Sequence, residues 1–178
     1  MKANKLIVTV MLAASLSACL FGCGNDDVKV IDGNGASTSA AGESTSDGYV
    51  FSYKNIDIPV DADFAPILEE LGEPNSYFES ESCAAQGIGK HYTYNDFEIE
   101  TYPDGDVDRV LYVMLKSDAV STKEGINTSS TKDDIIAAYG EPTEEVTGSL
   151  IYKTSSMKIK FLFNGDSMIS IEYDSPLA

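Results

Sequence analysis

Two short stretches of this chain carry apolar residues at helical spacing, and almost everything else from Tyr49 onward alternates at the spacing of strands. In the first, Phe64, Ile67, Leu68 and Leu71 form one stripe against Glu69 and Glu70. Asp63 sits where an N-cap belongs, and Pro66 falls in the first turn, where a missing N–H costs nothing. Gly72 supplies a left-handed stop and Pro74 forbids continuation. The second stretch repeats the plan. Thr131 caps it, with Asp134 at capping-box spacing in place of the usual Glu. Ile135, Ile136 and Tyr139 make its apolar face, and Gly140-Glu141-Pro142 ends it.

The two stretches align without a gap from Ile58 to Pro74 and from Ile126 to Pro142. Ile58, Ile67, Gly72, Glu73 and Pro74 fall on Ile126, Ile135, Gly140, Glu141 and Pro142. Strand patterns come after each: 76–79, 91–94, 97–102 and 110–115 after the first, then 149–153, 157–163 and 168–173 after the second. Tyr49 to Tyr53 reads as an opening strand, and Ile56, Ile58 and Val60 as a lead-in. Asn95-Asp96 and Pro103 to Asp106 are turn chemistry, so neighbouring strands run antiparallel. For the last hairpin, a loop at Asn164-Gly165-Asp166 predicts Phe161 opposite Ile169, Ile159 opposite Ile171 and Lys158 opposite Glu172.

One helix with a few strands buries its own sheet poorly, whereas two such units side by side share a sheet and cover it with both helices. The expectation is an α+β domain over 49–178. It consists of two α-then-antiparallel-β-meander repeats, 55–118 and 123–174, sharing one sheet with the helices packed on one face. Gly72 and Gly140 lie 68 positions apart, but Gly105 and Gly165 only 60. The first unit therefore holds about eight extra residues, placed as an inserted loop near Ser80 to Gly89.

The helix start Thr131-Lys-Asp-Asp-Ile-Ile136, the stop Tyr139-Gly-Glu-Pro142 and the meander after it resemble the tandem helix-plus-meander repeats of the β-lactamase-inhibitor-protein superfamily. They also resemble the small lipoprotein subunit of the outer-membrane β-barrel assembly machinery. The resemblance spans nearly all of 55–174 and is one of plan. It implies that a sheet face or loops are presented to another protein. No functional motif of either family is present, so no residue roles come with it.

The N-terminus reads differently. Lys2 and Lys5 precede an uncharged apolar run, Leu6 to Leu16. A bilayer crossing needs about 20 such residues, and this run has the length of a signal-peptide core. Leu16-Ser17-Ala18-Cys19 then resembles the lipobox of bacterial lipoproteins. That resemblance implies a signal peptide over 1–18, an acylated Cys19 (Cys23, after Leu20-Phe21-Gly22, is the alternative) and a mature chain lipid-anchored to a cell membrane, facing outside the cytoplasm. Residues 19–48 come next as a tether rich in Gly, Ser and Thr, with a root-mean-square reach of roughly 30 Å.

Charge narrows the partners. Removing Lys2 and Lys5 leaves ten basic residues against 29 acidic ones, a net charge of −19. That excludes the basic footprint that nucleic acid requires and disfavours lying on anionic lipid. The expected partners are the membrane, through the anchor, and a protein or cell-wall component.

Candidate chemistry is sparse. His91 is the only histidine; no Ser–His–Asp order is legible, and Cys83 reads as a small buried hydrophobe. Asp104-Gly-Asp-Val-Asp108 lacks the glycine and the glutamate that a calcium loop needs at its sixth and twelfth positions, where Arg109 and Leu115 stand. No cysteine or histidine spacing suits zinc. Neither an enzyme nor a bound metal or cofactor is expected. The tyrosines are the better material: Tyr92 and Tyr94 share a strand face, Tyr102 and Tyr112 sit on the next two strands, and Tyr is favoured at interface centres. These four form the candidate binding face. The alternative is that they pack beneath the helices. A membrane-tethered protein-binding module leads; a small-molecule or peptide sensor is second.

Overall fold

A computed structural model describes residues 48–178. The expected signal peptide, Cys19, Cys23 and nearly all of the tether lie outside the described residues. The elements are β1 (Phe51–Tyr53), β2 (Ile56–Ile58), α1 (Phe64–Leu71), β3 (Ser76–Glu81), β4 (Ile88–Thr93), β5 (Phe97–Asp104) and β6 (Val107–Leu115). After them come α2 (Lys132–Tyr139), β7 (Glu144–Val146), β8 (Ser149–Lys153), β9 (Lys158–Asn164) and β10 (Ser167–Asp174). The described fold is mostly antiparallel β with two short helices. β1 and β2 form their own hairpin, turned by Lys54 and Asn55, both at positive φ as a type I′ turn requires.

The other eight strands make one sheet in the order β3-β4-β5-β6-β10-β9-β8-β7. Each four-stranded meander is consecutive, and the two join through β6 and β10. Tyr92, Ile99, Val113, Tyr173, Ile159 and Tyr152 are successive cross-strand partners and all are buried. They mark the face that the helices cover. Phe64 of α1 packs its ring on Tyr92, while Tyr139 of α2 packs on Tyr152 and Phe161. Phe51 of β1 meets Phe97 and Tyr173 on the same face. Burying this one apolar face against both helices is the main driving force for the arrangement.

Local chemistry sets the helix ends. The Asp63 side chain accepts from the Ala65 N–H at 3.0 Å. Thr131 and Asp134 form a complete capping box. The stops differ from a plain left-handed cap. Gly72 has φ 77° and ψ −169°, Gly140 φ 78° and ψ −164°, a region open essentially to glycine alone. The extended ψ leads the chain straight into Glu73 and Glu141, each of which precedes a proline that disfavours helical backbone.

Two expectations need correction. Phe161 pairs with Ile171, Ile159 with Tyr173, Lys160 with Glu172 and Lys158 with Asp174, a two-residue displacement from the expected register. The turn holds only Gly165 and Asp166, with glycine at the first central position as a type II′ turn needs, and a bulge between Met168 and Ser170 throws Ile169 outward. The segment near Ser80 to Gly89 is also not a simple loop. β3 runs to Glu81 and β4 begins at Ile88, so most of the extra residues lengthen a hairpin.

Candidate functional site

The four tyrosines do not form one exposed face. Tyr92 is buried between the rings of Phe64 and Tyr77. Tyr94 stacks on Phe97 and donates its hydroxyl to the Gly72 carbonyl at 3.1 Å; burial pushes its pKa up to about 12. Tyr102 is buried and donates to Asp61 Oδ1 at 3.0 Å, so burial and then that bond raise its pKa. Tyr112 lies on the helix-free face, where burial first and then the carboxylates of Glu100 and Glu98 hold its hydroxyl protonated. Two tyrosines under α1, one in a buckle near Asp61 and one on the far side of the sheet cannot act as a unit. Sequence period shows which residues share a face; it does not show which face the helices cover.

The exposed aromatic material lies instead on β3. Tyr77, Phe78 and Ile88 of the neighbouring strand are 48%, 53% and 45% exposed, and all six β3 residues are exposed. β3 is an outer strand. Ser82 N–H donates to the Gly87 carbonyl at 2.9 Å, and Tyr94 N–H to the Phe97 carbonyl at 2.9 Å. Together these fix the ladder phase. Ser76, Phe78 and Ser80 bond inward to β4, whereas the backbone N–H and C=O groups of Tyr77, Glu79 and Glu81 face the outer edge, which pairs with no strand among the described residues.

A cleft lies on each side of that edge. On the helix side, Leu68, Gly72, Pro74, Tyr77 and Tyr92 line a mainly apolar groove of about 340 Å³, rimmed by Glu69 and Glu73. Tyr77 donates its hydroxyl to Glu79, which raises the tyrosine pKa. On the helix-free side, Phe78, His91, Thr93, Glu98 and Tyr112 border a cavity of about 280 Å³. The Phe78 ring stacks flat on His91, 4.1 Å between centroids. Farther along this face, Lys160 bridges Glu172 at 2.6 Å and Asp174 at 2.8 Å, and Lys116 meets Glu98 at 2.6 Å. Those pairs occupy the centre of the sheet and leave the β3 end more open.

One arrangement is not legible in the sequence. His91 Nε2 lies 2.9 Å from Ser80 Oγ, and its Nδ1 lies 3.5 Å from Glu100 Oε2. The order is that of a hydrolytic relay, but the carboxylate contact is longer than a formed hydrogen bond. Ser80 also sits on a straight strand, without the sharp turn that exposes a nucleophile and gathers N–H donors around an oxyanion. The geometry is that of a polar strut tying β3 to β4 and β5. Sequence pattern misses it because Ser80 reads as part of a loop and Glu100 as one polar position of the 97–102 strand.

Cys83 is a correction: it is a free, exposed thiol in the β3–β4 connection, held out of the core by the length of that hairpin. In the acidic tip, Asp104 faces Arg109 and Asp108 faces Lys90, each at 2.6 Å, so two of its carboxylates already meet cations. The Asp108 bond is also the chief reason that the Lys90 pKa is raised. Among the described residues, no cluster of His, Cys, Asp and Glu is placed to hold a metal ion.

No family model, curated protein or solved structure matches the chain.

The two outer strands of the sheet are unequal. β7 has three residues and β3 has six. Natural sheets blunt their edges with short strands, among other devices, and β7 obeys that rule while β3 departs from it. The extra residues that distinguish the first helix-plus-meander segment from the second are the ones that lengthen this edge.

Proposed function

We propose that this chain is a lipid-anchored, non-enzymatic protein-binding module outside the cytoplasm, and that the β3 edge with its flanking clefts is where it binds. The carrying observation is a six-residue outer strand, exposed throughout, with an apolar groove along one side. An exposed strand edge supplies main-chain hydrogen bonds to an added strand, and flanking pockets sort its alternating side chains. The lipobox-like segment ending at Cys19 supports the anchor, with Cys23 as the alternative, and the Gly/Ser/Thr-rich segment after it supports a tether that gives the domain reach.

We further propose that the two helix-plus-meander units are copies of one ancestral unit. Both helices have eight residues and end on glycines with the same unusual backbone angles. In each unit a tyrosine hydroxyl bonds that glycine's carbonyl, Tyr94 to Gly72 and Tyr152 to Gly140. The Gly105 and Gly165 turns match as well, both at φ 64°. This plan is the one implied by the likeness to the β-lactamase-inhibitor-protein superfamily, whose shared trait is presenting a surface to another protein.

The test is site-specific photo-crosslinking in the native envelope, with the probe amino acid at Glu79 or, as a control, at Glu145 on the opposite edge. A discrete adduct from the Glu79 position alone supports the reading; adducts from Glu145 alone, or from neither, reject it. The second reading, a small-molecule or peptide sensor, is favoured by the cavity between Phe78, His91 and Tyr112. At about 280 Å³ it falls just under the usual size of small-ligand sites.

A further inference from the structure

We infer that the occupant of the β3 edge is an extended basic peptide segment, added as a ninth strand with one large apolar side chain seated between Leu68, Pro74, Tyr77 and Tyr92. This rests on the binding reading above and names the partner's chemistry. The free edge offers the N–H and C=O groups of Tyr77, Glu79 and Glu81, spaced every second residue, as an incoming strand requires. Alternate side chains of that strand point to opposite faces. On the helix face they meet the apolar groove, so a Leu, Met or Phe fits there.

Charge sets the rest. Glu69 and Glu73 rim the groove, and Glu79 and Glu81 continue the same row along β3. The cation nearest in register, Lys90 opposite Glu79, is already bound to Asp108 at 2.6 Å. An incoming strand with Lys or Arg on either side of its apolar residue complements these four carboxylates, and an acidic strand is repelled by them. On the helix-free face the next side chain meets Phe78, stacked on His91, which suits an aromatic or the flat guanidinium of Arg.

The test uses the full-length mature chain and three synthetic hexapeptides. One alternates Lys with Val and carries a central Phe, the second replaces each Lys by Glu, and the third replaces each Lys by Ser. Binding is read by fluorescence anisotropy, and its place by hydrogen exchange at the Tyr77, Glu79 and Glu81 amides. The expected result is that the Lys peptide binds at least about tenfold more tightly than the Ser peptide, that added salt weakens it, and that those three amides become protected. Glu79→Pro removes an outward N–H without breaking the ladder to β4 and abolishes the protection. Glu79→Lys with Glu73→Lys leaves the backbone intact and, with two carboxylates now offset by two ammonium groups, removes the preference for the Lys peptide over the Glu peptide.

Equal binding by all three peptides, with the same amides protected, overturns the basic-partner inference and leaves the edge reading standing. Protection elsewhere, on β7 for example, or none with any peptide, overturns the inference; crosslinking at Glu79 then decides the edge reading separately.

Discussion

Ser175 Oγ donates to Asp61 Oδ1 at 2.6 Å across 114 positions of sequence. Tyr102 donates to the same oxygen at 3.0 Å, Arg109 Nη1 to the Asp61 carbonyl at 2.9 Å, and the Asp61 N–H to the Val110 carbonyl at 2.8 Å. One residue thus fastens the lead-in to α1, the β5–β6 hairpin and the C-terminal segment. It does so at φ 60°, a conformation that Asp tolerates better than most side chains.

Asp61→Ala therefore loses two accepted bonds and keeps the unfavourable backbone, and is expected to lower unfolding stability by about 2–4 kcal/mol. Asp61→Asn keeps an acceptor oxygen and the backbone tolerance, and costs under about 1 kcal/mol. Urea denaturation of the three proteins checks this. Equal losses from both substitutions would show that the charge, not the acceptor, holds the buckle.

The parts of the fold that are readable in sequence are those governed by neighbours in sequence. Asp63 and Gly72 bound α1, Thr131 and Gly140 bound α2, and β8 runs from Ser149 to Lys153 as its alternation predicts. The unreadable parts depend on partners far away. Ser80 and Glu81 carry no strand signal and become strand because β4 pairs with them. β7 contains two glutamates in three residues and exists only as a cap on β8. The two-residue turn shifts the pairing by one and the bulge that turns Ile169 outward, which has no local marker, shifts it by one more, so alternation alone puts the register two residues out. The site is obscured for the same reason: its edge is made by pairing, and Tyr92 is hidden by α1.

Gly72 and Gly140 make the proposed duplication testable. An added Cβ meets nothing within 4 Å at either glycine, so the cost of alanine is conformational alone. Gly72→Ala and Gly140→Ala are each expected to destabilise by about 1–3 kcal/mol, and by similar amounts. Thermal unfolding compares them. A loss at one and none at the other would separate the two helix ends physically and weaken the case for copies.

Tyr173 offers the opposite sign. Its ring fills the core at 1% exposure, yet its hydroxyl has no hydrogen-bond partner among the described residues. Burial accordingly raises its pKa strongly. A desolvated, unpaired hydroxyl costs about 1–3 kcal/mol, so Tyr173→Phe is expected to leave stability unchanged or raise it by up to about 1 kcal/mol. A clear loss in chemical denaturation would mean that the hydroxyl has a bound water or a partner in the segment before residue 48.

Tyr92 needs a different expectation from an interface residue. Tyr92→Ala removes a ring packed between Phe64 and Tyr77 and is expected to cost about 3–5 kcal/mol, unfolding the edge rather than testing it. Far-ultraviolet circular dichroism with denaturant midpoints reports this directly. A stable, cooperative Tyr92→Ala protein would show that the α1 side of the sheet tolerates a large cavity.

Asp134 gives the pH dependence its sign. Its carboxylate accepts from the Thr131 backbone N–H at 2.8 Å and from the Thr131 hydroxyl at 2.7 Å, and these bonds lower its pKa below the ordinary 3.8. A carboxyl whose pKa is depressed on folding stabilises the fold above its unfolded pKa, and that contribution is lost as pH falls through the folded value. The difference in melting temperature between the parent and Asp134→Ala should therefore be constant from neutral pH down to about 4 and shrink below 3.8. Thr131→Ala should show a weaker version of the same profile, because it removes the hydroxyl donor and keeps the backbone N–H that lowers the pKa most. A gap that persists undiminished at pH 2 would mean that Asp134 acts through helix propensity or packing instead of through its charge.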